Sequence, residues 1–226
     1  QQVLADLEHV LGPDHPDTLM SRYDIAQVLL SLDQPLKALE MLERQLGGCE
    51  VTFGPTHALT IASRATVVSC LKAVDRPDEA VPHSRLILAY YVDTLGPDHP
   101  DAAAFRVEHA RLLMMSERGD EGLPHFERVL TQRLVDLGPS HLDTLACRRD
   151  LALCIGVLGR DEEALPHFQL VLAECEAKAG FSDPITLSAA GELALCLQRL
   201  GLADDAIPHL ERALAGFNAL FGPDHP

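Results

Sequence analysis

Glycine returns every 42 residues in this chain, at Gly12, Gly54, Gly96, Gly138, Gly180 and Gly222, without one insertion or deletion. The next residue is Pro13, Pro55, Pro97, Pro139 and Pro223, with Phe181 the exception. Two positions beyond stand His15, His57, His99, His141 and His225, with Asp183 in the fifth place. A period of this length with no slippage means stacked copies of one supersecondary unit. Five complete units are read, 11–52, 53–94, 95–136, 137–178 and 179–220, in a single array over 1–226. Residues 1–10 read as the end of a preceding unit and 221–226 as the start of a next one. Gln1 is not an initiator Met, so the chain is expected to be a piece of a longer protein.

Each unit reads as helix, turn, helix. In the first, Pro16 takes a first-turn position where a missing N–H costs nothing, and Asp17 places negative charge at the positive end of the helix dipole. Leu19, Ala26, Leu29 and Leu30 recur at helical spacing until about Leu32. Short polar breaks then follow: DQP at 33–35, DRP at 75–77, GRD at 159–161. A second helix from about residue 36 carries Ala38, Leu39, Leu42 and Leu46 on one side. The recurring glycine then supplies a left-handed cap, and the proline stops the helix from continuing.

These residues resemble the 42-residue tetratricopeptide repeats of kinesin light chains and of many actinobacterial signalling proteins, whose units read roughly LGPDHPDTLxxRxNLAxxLxxxGRxxEALxxxExxL. The stretch DTLACRRDLALCIGVLGRDEEALPHFQLVL at 143–172 follows that pattern. The small residues expected where helices touch stand at Ala26, Ala110, Ala152 and Ala194 in first helices. Their counterparts in second helices are Ala38, Ala80, Ala164 and Ala206, with Gly122 in the third unit. The resemblance implies an all-α fold, a right-handed superhelical solenoid of helix-turn-helix repeats. Two departures stand out. The Asn pair by which related repeats clamp a peptide backbone is replaced by Tyr23-Asp24, Ala65-Thr66, Val107-Glu108, Arg149-Asp150 and Gly191-Glu192. The fifth joint reads AGFSDP, which predicts a looser or differently turned corner.

The formal charge of −16 argues against nucleic acid or an anionic membrane as partner. No apolar run approaches the ~20 residues that span a bilayer. The six cysteines include no CxxC pair. Cys70, Cys154 and Cys196 share one 42-residue column and Cys49 and Cys175 another, which reads as buried, reduced thiols in a cytoplasmic protein. Eleven histidines raise the question of a metal. The loop set and the helix set (His83, His125, His167, His209) each repeat once per unit, and packed helices lie ~8–10 Å apart. Two imidazoles that far apart cannot share one zinc at bonds of ~2.1 Å, so both sets read as structural; His9 and His109 show no ligand partner either. With no GxSxG elbow, no glycine-rich phosphate loop and no isolated carboxylate pair, neither catalysis nor a cofactor is expected.

By the resemblance, the first helix of each unit lines a concave groove, and its exposed columns begin at Met20, Tyr23, Asp24, Gln27 and Leu30. The Asp24 column reads Asp24, Thr66, Glu108, Asp150, Glu192, four acids on one ridge. Two readings stand. Carboxylates ~10 Å apart in water repel by only ~0.4 kcal/mol, so a solvated acidic face persists without a function. Alternatively, like charges add inside a concave wall and steer a basic or amide-rich peptide. Arg111 and Arg149 interrupt the ridge and would let it read acidic side chains too, while Tyr23, Met114 and Leu153 offer apolar anchors. With Gln27 and Ser69 these residues complete the candidate groove. Arg22, Arg64, Arg106 and Arg148 form another column, expected to make structural ion pairs between units.

The expected function is thus a non-catalytic interaction or sensor module that holds a protein or peptide segment in its groove. The resemblance suggests a larger bacterial signalling protein of the nucleotide-switched ATPase type as host. A stand-alone peptide-binding adaptor and a regulatory segment of a multidomain enzyme such as a protease are the alternatives. Units cut at both ends are also expected to expose apolar faces and to permit self-association.

Overall fold

A computed structural model describes residues 2–222. Pro223 and His225 of the last joint lie outside the described residues, as does most of the segment read as a next unit. Among the described residues the chain forms eleven helices and no strand. They are α1 (Gln2–Val10), α2 (Pro16–Ser31), α3 (Pro35–Phe53), α4 (Ala58–Ala73), α5 (Pro77–Leu95), α6 (Pro100–Met115), α7 (Gly119–Asp136), α8 (Leu142–Val157), α9 (Asp161–Ala179), α10 (Pro184–Arg199) and α11 (Ala203–Phe221). The chain falls into two compact units, Gln1–Ser116 with α1–α6 and Glu117–Pro226 with α7–α11. Inside each unit every helix packs on its neighbours in sequence, and in the first unit α2 also touches α4.

The joints explain the repeated loop. His15, His57, His99 and His141 hold extended backbone at the N-cap position, and each Nδ1 accepts the backbone N–H two residues on, at 3.2 Å. One of the four orphan donors that begin any helix is satisfied this way. Asp183 performs the same task with Oδ1, accepting the N–H of Ile185 at 2.9 Å. Its φ and ψ of −71° and 137° match the −67° and 141° of His15. The fifth joint therefore turns the same corner as the others, contrary to the expectation from AGFSDP, because aspartate caps as well as histidine does.

The glycine before each cap is a second correction. Gly54 has φ 91° and ψ 166°, which is the mirror image of extended backbone and not the left-handed helical region. Glycine alone populates that region without strain. Left-handed residues sit instead in the turn within each pair: Asp33 and Asp75 at φ 56°, Glu117 at 57°, Gly159 at 73°. At the end of α2, Asp33 N–H bonds Leu30 O at 3.0 Å and Gln34 N–H bonds Leu29 O at 2.9 Å. This is the double closure of a Schellman turn.

The core is aliphatic. Leu39, Leu42 and Leu46 of α3 pack with Val67, Cys70 and Leu71 of α4 around Ala26, Ala38 and Ala80. All eight column alanines are buried, so backbones approach closely where the small residues stand. All six cysteines are buried and unbridged. Burial pushes the thiols of Cys70 and Cys154 up to about 11, which leaves them protonated, inert hydrophobes at neutral pH.

Candidate functional site

On the first helices of unit one, groove positions come together as a hydrogen-bonded chain. Gln27 Nε2 on α2 donates to Tyr23 Oη at 2.8 Å and to Thr66 Oγ1 on α4 at 3.0 Å. Thr66, buried, donates onward to Ala62 O. The amide that clamps ligands in related repeats is thus replaced by one that ties α2 to α4, while Asp24 beside it is exposed. Ser69 is exposed and turned back onto Ala65 O at 3.1 Å.

Glu108 on α6 receives Lys72 Nζ from α4 at 3.0 Å and is also bonded by Arg111, one turn along its own helix. Partial burial pushes its carboxyl up, but the Lys72 hydrogen bond and the charges of Lys72 and Arg111 outweigh that and hold it below the usual range. Two cations share one carboxylate, an excess of one positive charge. Beside them lies a cavity of about 150 Å³, walled mainly by Ala65, Val68, Ile87, Phe105 and Leu112. In its wall, buried Ser84 Oγ lies 2.7 Å from His109 Nδ1 and donates to Val81 O. Met114 is half-buried near the end of α6.

The groove residues of unit two are arranged differently. Asp150 on α8 is only 4% exposed, and Arg149 lies 3.7 Å from its carboxylate and 3.8 Å from that of Glu192 on α10. Burial, reinforced by the Asp150 charge and opposed by Arg149, raises the Glu192 carboxyl above its usual range. Leu153 is half-buried on α8. The four acids of the column therefore do not stand alike: one is open to solvent, one is shared between two cations, and two flank an arginine.

Lys72, absent from the candidate groove, is the second member of the Leu30 column, so its place was legible though its pairing was not. The arginine column does what its regularity suggested. Arg22 of α2 bonds Glu8 of α1 at 2.6 Å and Pro13 O at 2.8 Å, and Arg64 of α4 pairs with Glu50 of α3 in the same register. Arg148 approaches His167 Nδ1 at 3.5 Å. Among the described residues no group of three or more His, Cys, Asp or Glu side chains could hold a metal ion, and no helix is long and apolar enough to cross a membrane.

The family model for the tetratricopeptide repeat matches residues 101–177 and 185–226. Among solved structures, the chain is similar to a Podosopora anserina kinesin light chain with nearly identical TPR-like repeats. The identity is 26% and the TM-score 0.76, over 91% of this chain and 97% of that one. BtubC from P. vanneervenii gives a TM-score of 0.69 at 13% identity, covering 100% of this chain and 89% of its own. The MamA protein gives 0.61 at 12%, covering 94% and 100%. These last two likenesses show the fold alone. No curated protein matches the chain.

Proposed function

The chain belongs to the tetratricopeptide-repeat family, whose members generally mediate protein–protein interactions and are generally non-catalytic scaffolds, and from that premise we propose that it binds a polypeptide segment along the first-helix face of α2, α4 and α6. One observation carries the reading: on that face exposed Asp24, Gln27 and Ser69 border a mainly apolar cavity whose rim holds the Lys72–Glu108–Arg111 cluster. A cavity of about 150 Å³ suits one apolar side chain of a bound segment. Exposed carboxylate and amide oxygens on the same face accept from backbone N–H groups. A basic ligand residue is favoured at Asp24, whereas the excess cation at the cluster favours an acidic group, so the partner carries charge of both signs.

Peptides selected by display against the chain provide the test. Asp24→Lys and Ser69→Trp, both at exposed positions, are expected to weaken the tightest of them at least tenfold by fluorescence anisotropy. Binding indifferent to both substitutions would remove the groove from consideration. Charge reversal at buried Asp150 is no substitute, because it tests folding.

The wider setting proposed is a cytoplasmic, bacterial signalling protein of the nucleotide-switched ATPase type, in which the repeats sense a ligand and restrain the switch. The resemblance of the 42-residue units to actinobacterial signalling repeats supports it, and the buried thiols suit a reducing compartment. A nucleotide-binding loop encoded upstream of Gln1 is the expected finding; only further repeats there would point to a stand-alone adaptor.

A further inference from the structure

Each internal joint buries the same apolar surface. In unit one, Leu39, Leu42 and Leu46 of α3 are 3%, 0% and 7% exposed, packed on Val67 and Leu71 of α4. The equivalent residues of α7 and α9 (Phe126, Leu130, Phe168 and Leu172) are as deeply buried. On α11 the same columns are open: Ile207, Leu210 and Leu214 are 50%, 40% and 63% exposed. The complementary half is open on α2, where Ile25 and Leu29, counterparts of Val67 and Leu71, line a cavity of about 330 Å³. This chain therefore displays both halves of the one interface it repeats, each without its partner.

We propose that a second copy of this chain supplies the partner, α11 of one copy docking head to tail on α2 of the next. Charge agrees with the fit: Asp204, Asp205 and Glu211 flank the α11 face, whereas Arg22, Lys37 and Arg44 outnumber Glu8 and Glu40 around the α2 cavity. The short α1 covers only part of α2, through the Glu8–Arg22 pair, and gives way on docking. The α11 position equivalent to Glu8 is Asn218, whose carbonyl oxygen can take over the Arg22 guanidinium. Because the two surfaces differ, the contact is heterologous and each copy keeps one free end of each kind, so growth continues with concentration.

Sedimentation velocity of the whole chain tests this. Wild type is expected to form a concentration-dependent series of oligomers. Leu214→Glu on α11 should leave only monomer. So should Ile25→Glu and, as a variant confined to exposed positions that cannot misfold the core, Lys37→Glu with Arg44→Glu. Mixing the Leu214→Glu chain with the Lys37→Glu/Arg44→Glu chain should restore a dimer that grows no further, since each retains one intact and different face. A wild type that stays monomeric overturns the proposal, as does a mixture that does. Self-association untouched by either α2 variant, as a symmetric α11–α11 pair would give, overturns it equally.

Discussion

Histidine is an uncommon helix cap, and here it does the work usually given to serine, threonine, asparagine or aspartate. The acceptor is Nδ1, so the proton must sit on Nε2, and an imidazolium could not cap at all. Asp183 shows that the position asks for an acceptor and not for a ring. His141→Ala is expected to lower stability by about 1 kcal/mol in urea unfolding, while His141→Asp keeps or raises it. Two other histidines make stability depend on pH. Burial, with Arg64 beside it, holds His83 below the usual imidazole range, and burial with Arg148 does the same for His167. A folded pKa lower than the unfolded value of about 6.5 means that the unfolded chain binds the extra protons. The stability is complete above that value and declines as pH falls through it towards the folded pKa. Tm should therefore drop between about pH 7 and 5, and His83→Gln with His167→Gln should flatten that slope.

At the scale of the helix and its turns, two kinds of positive-φ residue have different tolerances. The cost of replacing Gly159, left-handed in the turn after α8, is ~1–2 kcal/mol of backbone strain, partly offset by ~0.4–1 kcal/mol of lost unfolded-state entropy. Gly54 lies in the mirror-extended region, and although a Cβ there would meet nothing within 4 Å, the conformation itself costs ~1–3 kcal/mol. Urea midpoints should rank Gly54→Ala below Gly159→Ala, with both below wild type. That helices start every 42 residues was legible because the joint needs glycine, proline and an acceptor in fixed order, and few residue types meet those demands. The state of each groove side chain was not. Asp24 and Asp150 share a column, yet one is solvated and the other buried, because the residue before each is Tyr23 in one case and Arg149 in the other. Glu108 likewise depends on Lys72, 36 residues away and across two helices. Periodicity specifies where a side chain starts; its neighbours decide where its charge ends.

For the whole molecule, stability in a chain of near-identical joints is approximately a sum of unit terms and nearest-neighbour terms, so damage stays local. Leu42 is fully buried among residues drawn from α2, α3, α4 and α5. Leu42→Ala should cost about 2–5 kcal/mol at that joint. In a domain with one shared core such a loss would lower protection everywhere. Here each of the two compact units carries its own buried aliphatic residues, with Phe126, Phe168 and Leu187 in the second. Hydrogen exchange followed by mass spectrometry should therefore show amides of α2–α5 in the variant exchanging faster, while those of α8–α10 keep wild-type protection. Equal acceleration from α2 to α11 would mean that the chain opens as one cooperative body. The repeated joints would then act as a single core, and sequence distance from the lesion would no longer predict its effect.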